Sequence, residues 1–442
     1  MKKSVSLLLV LTLAATMTAC GSKNDANSGE TNTGNANAET TNNAAANNTA
    51  ANNGAAEDAE LVPEEGATLL VWESKEERPF VEKMMKEFTE KYGVEVKMEE
   101  LGAGDQVAKL TTDGPAGIGA DIVLFPHDNL GKAVAAGLVL PNDEYGDLAV
   151  SENSEVAVQA VSYDGVLYGY PRAVETYAMF YNKDLIATAP TTFDEVKEFA
   201  KTFNDTKSNK YAFMWDIGNF YFSYPFLATT GGFVYGQNGQ DKNEIGLNNA
   251  GAVEGATYFA SLKKDVLPLK SGDVTYDIKK GLFTGGTLAM NIDGPWAIGD
   301  IKKSGINFGA APIPSINGKP SVSFSGVKAW YVNSYTKYPN AAKLFARFAS
   351  TKEAQLDDFS LTGAIPANKE ATQDPKIQND EIVKAFVEQF KNSQPMPSIP
   401  EMGNVWTPIG ASLSDIWNEG KDPKASLDNA VKQIQDANAA AK

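Results

Sequence analysis

The sequence predicts an α/β fold of two lobes that face each other across a cleft. From Leu61 onward, short apolar runs alternate with helix-period runs, first within residues 67–125 and again from Tyr177. In the first stretch the strand–helix–strand spacing points to parallel pairing. Open α/β sheets bind ligands at the carboxyl ends of their strands, so a cleft between two such lobes is the expected site.

The chain opens on an export signal. Lys2 and Lys3 precede an apolar run, Val5 to Ala15, too short for a spanning helix of about 20 residues. It leads into Met17-Thr18-Ala19-Cys20-Gly21, with small residues before the only cysteine of the chain. The pattern resembles a bacterial lipoprotein signal, although Met17 stands where Leu is commoner, and it puts a lipid on Cys20. The alternative is an incidental cysteine in a leader discarded whole. Two or three acyl chains, at about 0.8 kcal/mol per buried methylene, would hold the protein on the outer face of the cell membrane. No cysteine is left for a disulfide. Residues 21–60 are Asn, Ala, Thr, Gly and Ser with a few charged groups and no aromatic group. Such a segment cannot bury enough surface to offset its ordering entropy. It is expected to be a tether with ends roughly 35 Å apart.

The globular elements follow in order. Ala67 to Trp72 suits a buried strand. Ser74 is positioned to cap a helix in which Phe80, Val81, Met84, Met85, Phe88 and Tyr92 recur at helical spacing, and Gly93 stops it. Val94 to Met98 and Ala120 to Phe125 read as the second and third strands. In the second part, Tyr177 to Tyr181 and Leu288 to Ile292 read as strands. Phe193 to Phe203 is an amphipathic helix started by Thr191 or Thr192. Leu344, Phe345 and Phe348 share one helix, and Val383, Phe386, Val387 and Phe390 share another.

Composition removes several functions. The formal net charge is −17, which opposes nucleic acid as a partner because phosphate binding needs a basic face. His127 is the only histidine. A His-Glu-x-x-His zinc site needs two, and no Gly-x-Ser-x-Gly motif accompanies His127 for a Ser-His-Asp triad. There is no phosphate loop and no dinucleotide turn. Plentiful carboxylates leave a two-acid glycosidase open.

What stands out is aromatic residues beside polar groups at strand ends and turns. They are Trp72, Phe125 near His127-Asp128, Tyr221 and Tyr224, Trp296 after Asp293-Gly294-Pro295, and Trp406 after Pro400-Glu401-Met402. A pyranose presents an apolar face of C–H groups and a rim of hydroxyls. Aromatic faces pack on the first, and carboxylates form charge-assisted hydrogen bonds with the second. Each aromatic taken singly also suits a core position.

Taken in order, these stretches resemble the maltose/maltodextrin-binding proteins of ATP-driven sugar importers. The matching segments are Leu69 to Trp72, Asp121-Ile122 through His127-Asp128, Gly169-Tyr170-Pro171 with Ala173-Val174-Glu175, and Tyr181 to Leu185. Tyr221-Phe222 with Pro225, Asn291 to Ala297, Met396-Pro397, Ile399-Pro400 and Trp406 complete the set. The resemblance implies a type II periplasmic-binding-protein-like fold with hinge-connected, discontinuous lobes. Residues 61–173 and 326–375 would form the N-terminal lobe, and residues 174–325 and 376–442 the C-terminal lobe. It implies no enzymatic step and no cofactor. The ligand would be a malto-oligosaccharide, the partners an ABC transporter's permease subunits, and the protein a monomer. Asp128 and Glu175 would hydrogen-bond sugar hydroxyls from opposite sides, Tyr221, Trp296 and Trp406 would stack on successive rings, and Phe125 and Trp72 would lie at the same cleft. A galacto- or lacto-oligosaccharide or a cyclodextrin is the alternative ligand. Asn129, Asn219 and Lys75-Glu76-Glu77 depart from the family pattern near one end of the sugar, which bears on chain length and on linear against cyclic dextrins.

Overall fold

Strand β1 (Thr68–Glu73) begins the first lobe of the computed structural model, which describes residues 61–440. The leader, Cys20 and the expected tether lie outside the described residues. Helix α1 (Arg78–Tyr92) buries Phe80, Val81, Met84 and Phe88, with Met85 and Tyr92 half-buried beside them. Gly93 ends it at φ 71°, and its N–H donates to the Thr89 carbonyl. Only glycine adopts that left-handed conformation at little steric cost. Ser74 does not cap α1. A 3-10 turn, Lys75–Glu77, intervenes, and Ser74 Oγ accepts instead from the Ala103 N–H at 3.2 Å.

Strands β2 (Glu95–Glu100) and β3 (Ile122–Pro126) both pair with β1 in parallel, as expected. Helix α2 (Leu130–Ala135) follows. Strand β4 (Tyr170–Thr176) joins the same sheet, and after Tyr177 the chain enters a second sheet as β5 (Ala178–Asn182). The second lobe continues with α3 (Phe193–Phe203), where Thr192 and Glu195 cap each other's backbone N–H in a capping box. Then come β6 (Tyr211–Met214), α4 (Phe220–Ala228), α5 (Tyr276–Thr284), β7 (Leu288–Asp293) and β8 (Phe308–Ala311). The long strand β9 (Ser323–Val332) returns to the first sheet, followed by α6 (Lys352–Thr362) and β10 (Ile365–Pro366). Helix α7 (Glu381–Phe390), β11 (Ser393–Pro395) and α8 (Trp406–Glu419) follow. Val383 and Phe386 of α7 join the second-lobe core. Val387, counted in the same apolar stripe, points outward instead, 51% exposed.

The first sheet has the order β10–β4–β9–β3–β1–β2, with β11 pairing the start of β9. The second has the order β8–β5–β7–β6. The expected architecture of two α/β lobes joined by crossing segments is therefore present. The crossings are tied to each other. Thr176 Oγ1 donates to the Phe324 carbonyl at 2.8 Å, and Tyr177 Oη accepts from the Phe324 N–H at 3.1 Å. Strand β4 stays in the first sheet to Thr176, and β9 joins it from Ser323, so both run past residues 173 and 326.

Side chains alternate across a strand with period two, and the first lobe packs a core on each face of its sheet. Leu69, Val71, Ile122, Leu124 and Trp330 pack against α1. Trp72, Val123, Phe125, Ala329 and Tyr331 fill the opposite face. The second lobe has one large core around Phe180, Phe213, Trp215, Phe259 and Trp417.

Candidate functional site

Residues that follow the carboxyl ends of β1, β3, β6 and β7 line a single cleft of ≈ 660 Å³. Those are the parallel pairs of the two sheets, so the cleft lies where open α/β sheets place ligands. Glu76, Glu77, Asp128 and Asn129 come from the first lobe, Asn219, Tyr221, Tyr276 and Trp296 from the second. Glu175 and Lys328 rise from the crossing strands β4 and β9, and Trp406 starts α8.

Asp128 sits in the 3-10 turn His127–Asn129 after β3 and is buried. Its Oδ2 accepts from Asn129 Nδ2 at 3.1 Å. Its Oδ1 is buried without a hydrogen bond of normal geometry, although the Trp406 indole lies close enough to favour the charged form. Burial above all, with the negative Glu175 nearby, pushes the Asp128 carboxyl up to about 7. Glu175 is also raised by burial, against the pull of Lys328, whose Nζ lies 2.9 Å from Oε1.

Three aromatic residues that line the cleft, Tyr221, Trp296 and Trp406, stand half-buried, so part of each remains open. The Tyr221 N–H donates to Asn219 Oδ1 at 3.0 Å, which fixes the start of α4. Its ring packs edge-on against Tyr177 at 4.8 Å and lies 6.5 Å from Trp296. Trp406 rests 5.9 Å from both Phe220 and Phe324. Tyr276 Oη is buried beside Trp296 without a hydrogen bond of normal geometry. Flat ring faces beside carboxylates, with unmet acceptor capacity at Asp128, suit a neutral ligand that has apolar faces and a rim of hydroxyl donors.

Thus Asp128, Glu175, Tyr221, Trp296 and Trp406 come together. Trp72 and Phe125 do not join them. Trp72 is fully buried, donates from Nε1 to Glu99 Oε2 at 3.0 Å and carries Lys109 over its ring. Phe125 stacks on Tyr331 at 3.9 Å in the core behind the cleft. Both lie within strands whose two faces are covered by core, whereas the cleft is lined by residues beyond the strand ends, such as Glu76 and Glu77 after β1 and Asp128 and Asn129 after β3.

His127 has both ring nitrogens engaged. Nε2 meets the Met396 carbonyl at 2.9 Å, and Nδ1 accepts from the Val327 N–H at 3.2 Å. Burial lowers it to about 4, so it is neutral and is not available as a base. Lys328 and Tyr276 also line the cleft and belong to no motif in the sequence, and Glu77 enters there only within the Lys75-Glu76-Glu77 departure from the family pattern. The one sequence signal for Lys328 is that it is the lone charged residue of the run Ser323–Val332, which the structure shows to be a fully buried strand. Among the described residues, no helix is long and apolar enough to cross a membrane.

Residues 83–385 match the family described as bacterial extracellular solute-binding protein. A galactooligosaccharide-binding protein of Bacillus subtilis is 34% identical over 375 residues, covering 83% of this chain and 88% of its own. A maltooligosaccharide ABC transporter solute-binding lipoprotein of Streptococcus pneumoniae is 33% identical over 365 residues, 81% of this chain and 86% of its own. Among solved structures, a cyclo/maltodextrin-binding protein complexed with maltotetraose matches with TM-score 0.70 and 39% identity, over 85% of this chain and 98% of that one. The Thermus thermophilus maltotriose binding protein bound with maltotriose matches with TM-score 0.79 and 29% identity, over 84% and 99%. With two hinge-connected lobes, a cleft at the strand ends and this match, the chain belongs to the bacterial extracellular solute-binding protein family.

Proposed function

We propose that this protein captures a malto-oligosaccharide between its lobes and hands it to an ATP-driven importer. One observation carries the reading. Tyr221, Trp296 and Trp406 present ring faces in the same cleft into which Asp128 and Glu175 bring buried carboxylates. The rings suit stacking on successive glucose units, and the carboxylates suit their hydroxyls. The relatives named for malto-oligosaccharides support the choice of sugar.

The lobes exchange at Tyr177 and between residues 311 and 323, and a third crossing follows Pro366. Ligand that touches both lobes favours the closed form by its differential affinity, and the permease subunits read that closed surface. Cys20 carries the lipid, residues 21–60 form the tether, and the protein works as a monomer on the outer face of the cell membrane. Cys20→Ala should release it into the medium, whereas retention of that variant in the membrane fraction would remove the anchor.

Calorimetry with maltotriose, maltotetraose, a cyclodextrin and a galacto-oligosaccharide tests the sugar. Malto-oligosaccharides are expected to bind about tenfold or more tightly than the galacto-oligosaccharide, a gap of about 1.4 kcal/mol. The reverse order would favour the galactooligosaccharide reading that the Bacillus subtilis relative suggests. Reducing ends released over time would point to a hydrolase.

A further inference from the structure

Behind the cleft lies a buried chain of charges that nothing in the sequence motifs assigns. Asp358, on α6, accepts from Arg172 Nε at 2.6 Å, and Glu73, at the end of β1, accepts from Nη1 at 2.5 Å. The remaining Nη2 pairs with Glu77. Glu77 Oε1 in turn meets Lys328 Nζ at 2.7 Å, and the same Nζ reaches Glu175 Oε1. Lys328 also lies 5.4 Å from the ring centroid of Trp296, a second-lobe residue. All six charged side chains are buried.

The layout is specific. Arg172 and Glu175 stand on β4, and Lys328 on β9, the two strands that cross between the lobes. Glu73 ends β1 and Glu77 ends the 3-10 turn that follows it. Two cations, Arg172 and Lys328, face four carboxylates, Glu73, Glu77, Glu175 and Asp358. Buried charges are tolerated only when matched by close partners. Glu77 has both cations. Burial raises it, but Lys328 and Arg172 outweigh that and hold it at about 2. Among the described residues Glu175 has one ion pair, to Lys328. Lys328 is thus the cation in contact that opposes the burial raising Glu175 at the floor of the cleft.

We propose that Lys328 is a positioning residue for ligand capture: braced by Glu77, it holds Glu175 as a carboxylate aimed at the ligand and fixes it to both crossing strands. This rests on the sugar reading of the same cleft. The charged and titratable groups around Glu175 are Lys328 on β9, Glu77 before α1, Arg172 on β4, Asp128 after β3 and Tyr221 on α4. With Lys328 gone, Glu77, Arg172 and Asp128 remain, and burial then favours a protonated Glu175.

The test uses the wild type, Lys328→Met, Lys328→Gln and Lys328→Arg, labelled with carbon-13 at the glutamate carboxyl. Glu175→Gln identifies the Glu175 signal. In Lys328→Met and Lys328→Gln the midpoint of that signal should rise by at least about one pH unit. Maltotriose affinity should fall about tenfold more at about pH 6 than at about pH 8.5, since protonation is what removes the acceptor. Lys328→Arg should restore both. An unchanged midpoint, with a pH-independent loss of affinity and a lower Tm, would overturn the proposal and leave Lys328 a structural ion. The Gln variant keeps a polar group of similar length, so the test survives if the Met variant fails to fold. If the wild type binds no malto-oligosaccharide, the sugar reading fails, while the Glu175 midpoint still decides the positioning role.

Discussion

Lys280 Nζ, on α5 of the second lobe, lies 3.1 Å from Glu76 Oε1 in the turn after β1 of the first lobe, and 3.2 Å from Asp300 Oδ2. Lys75 and Asp277 form a second ion pair between the same two elements at 3.3 Å. The lobes are thus bridged at the edge of the cleft that Glu76 and Tyr276 line. The Glu76–Lys280 pair is partly buried, at 12% and 15% side-chain exposure, and is less screened than its exposed neighbour. Contacts made only when the lobes approach add to the stability of the closed form. Lys280→Ala is expected to weaken maltotriose binding by about 0.5–1 kcal/mol, the range of such a pair. Wild-type affinity should also fall more than the variant's when salt is raised to about 0.5 M. An equal salt response in calorimetry would place the bridge outside the closing equilibrium.

Trp296 and Trp72 should behave oppositely when shortened. Trp296→Ala removes one exposed ring face, and base stacking on aromatics sets the expected cost at about 1–3 kcal/mol of maltotriose affinity. Stability should change little, since the ring is half-buried. Trp72→Ala opens a cavity in the first-lobe core and should cost about 3–5 kcal/mol of stability. The affinity of its folded fraction should stay near that of the wild type. Calorimetry paired with thermal unfolding separates the two, and unchanged affinity in Trp296→Ala would take that ring out of the site.

Much of this was legible because strong local signals agreed with the fold. The run Thr68–Glu73, the stripe of α1 with Gly93 behind it, and the Thr192 capping box each state their structure within a few residues. Asp128, Trp296 and Trp406 were legible because they sit in turns directly after strands or before a helix, where side chains reach the cleft. Trp72 and Phe125 do not reach the cleft because each still lies inside its strand, where both sheet faces are packed, and an aromatic near a strand end gives no sign of whether the chain has yet left the sheet. The charge chain was invisible for a different reason. The Glu73–Glu77 stretch, Arg172, Lys328 and Asp358 are far apart in sequence and meet only once the sheet order β4–β9–β3–β1 is known.

Sugar affinity should rise with pH across neutrality because of Asp128. Its carboxyl is held at about 7 in the free protein, so near neutral pH a part of the population carries a proton. Hydroxyl donors favour the ionised carboxylate, so binding releases that proton and tightens as pH climbs from about 5 to about 8. Stability has the opposite sign. The native state holds a proton that the unfolded chain has already lost at an ordinary carboxyl value of about 3.9. Between about pH 4 and about pH 7 folded stability therefore falls as pH rises, and Glu73, also raised to about 7 by burial, adds to the same trend. Asp128→Asn should flatten the Asp128 part of both profiles. Calorimetry in buffers of different ionisation enthalpy reads the released proton directly, and its absence would remove Asp128 from the contact.

Gly131 offers a test of how one lobe is held against the other. Its N–H donates to the Ser398 carbonyl at 3.1 Å, joining α2 of the first lobe to the segment before the 3-10 turn Pro400–Asn404. Met402 and Val405 anchor that turn in the second-lobe core. A Cβ at residue 131 would stand 2.4 Å from the Ser398 carbonyl oxygen and 2.8 Å from Pro400 N. Both are backbone atoms, so relief requires the turn and the helix to move apart rather than a side chain to rotate. Asp128 and Asn129 lie just before α2, and Trp406 just after the turn, so that displacement separates a carboxylate from a ring at the same cleft. Gly131→Ala should therefore lose maltotriose affinity by about tenfold while the sheets of each lobe stay folded by circular dichroism. Wild-type affinity in that variant would show that the turn yields without moving Trp406, and that the two half-sites are not set by this contact.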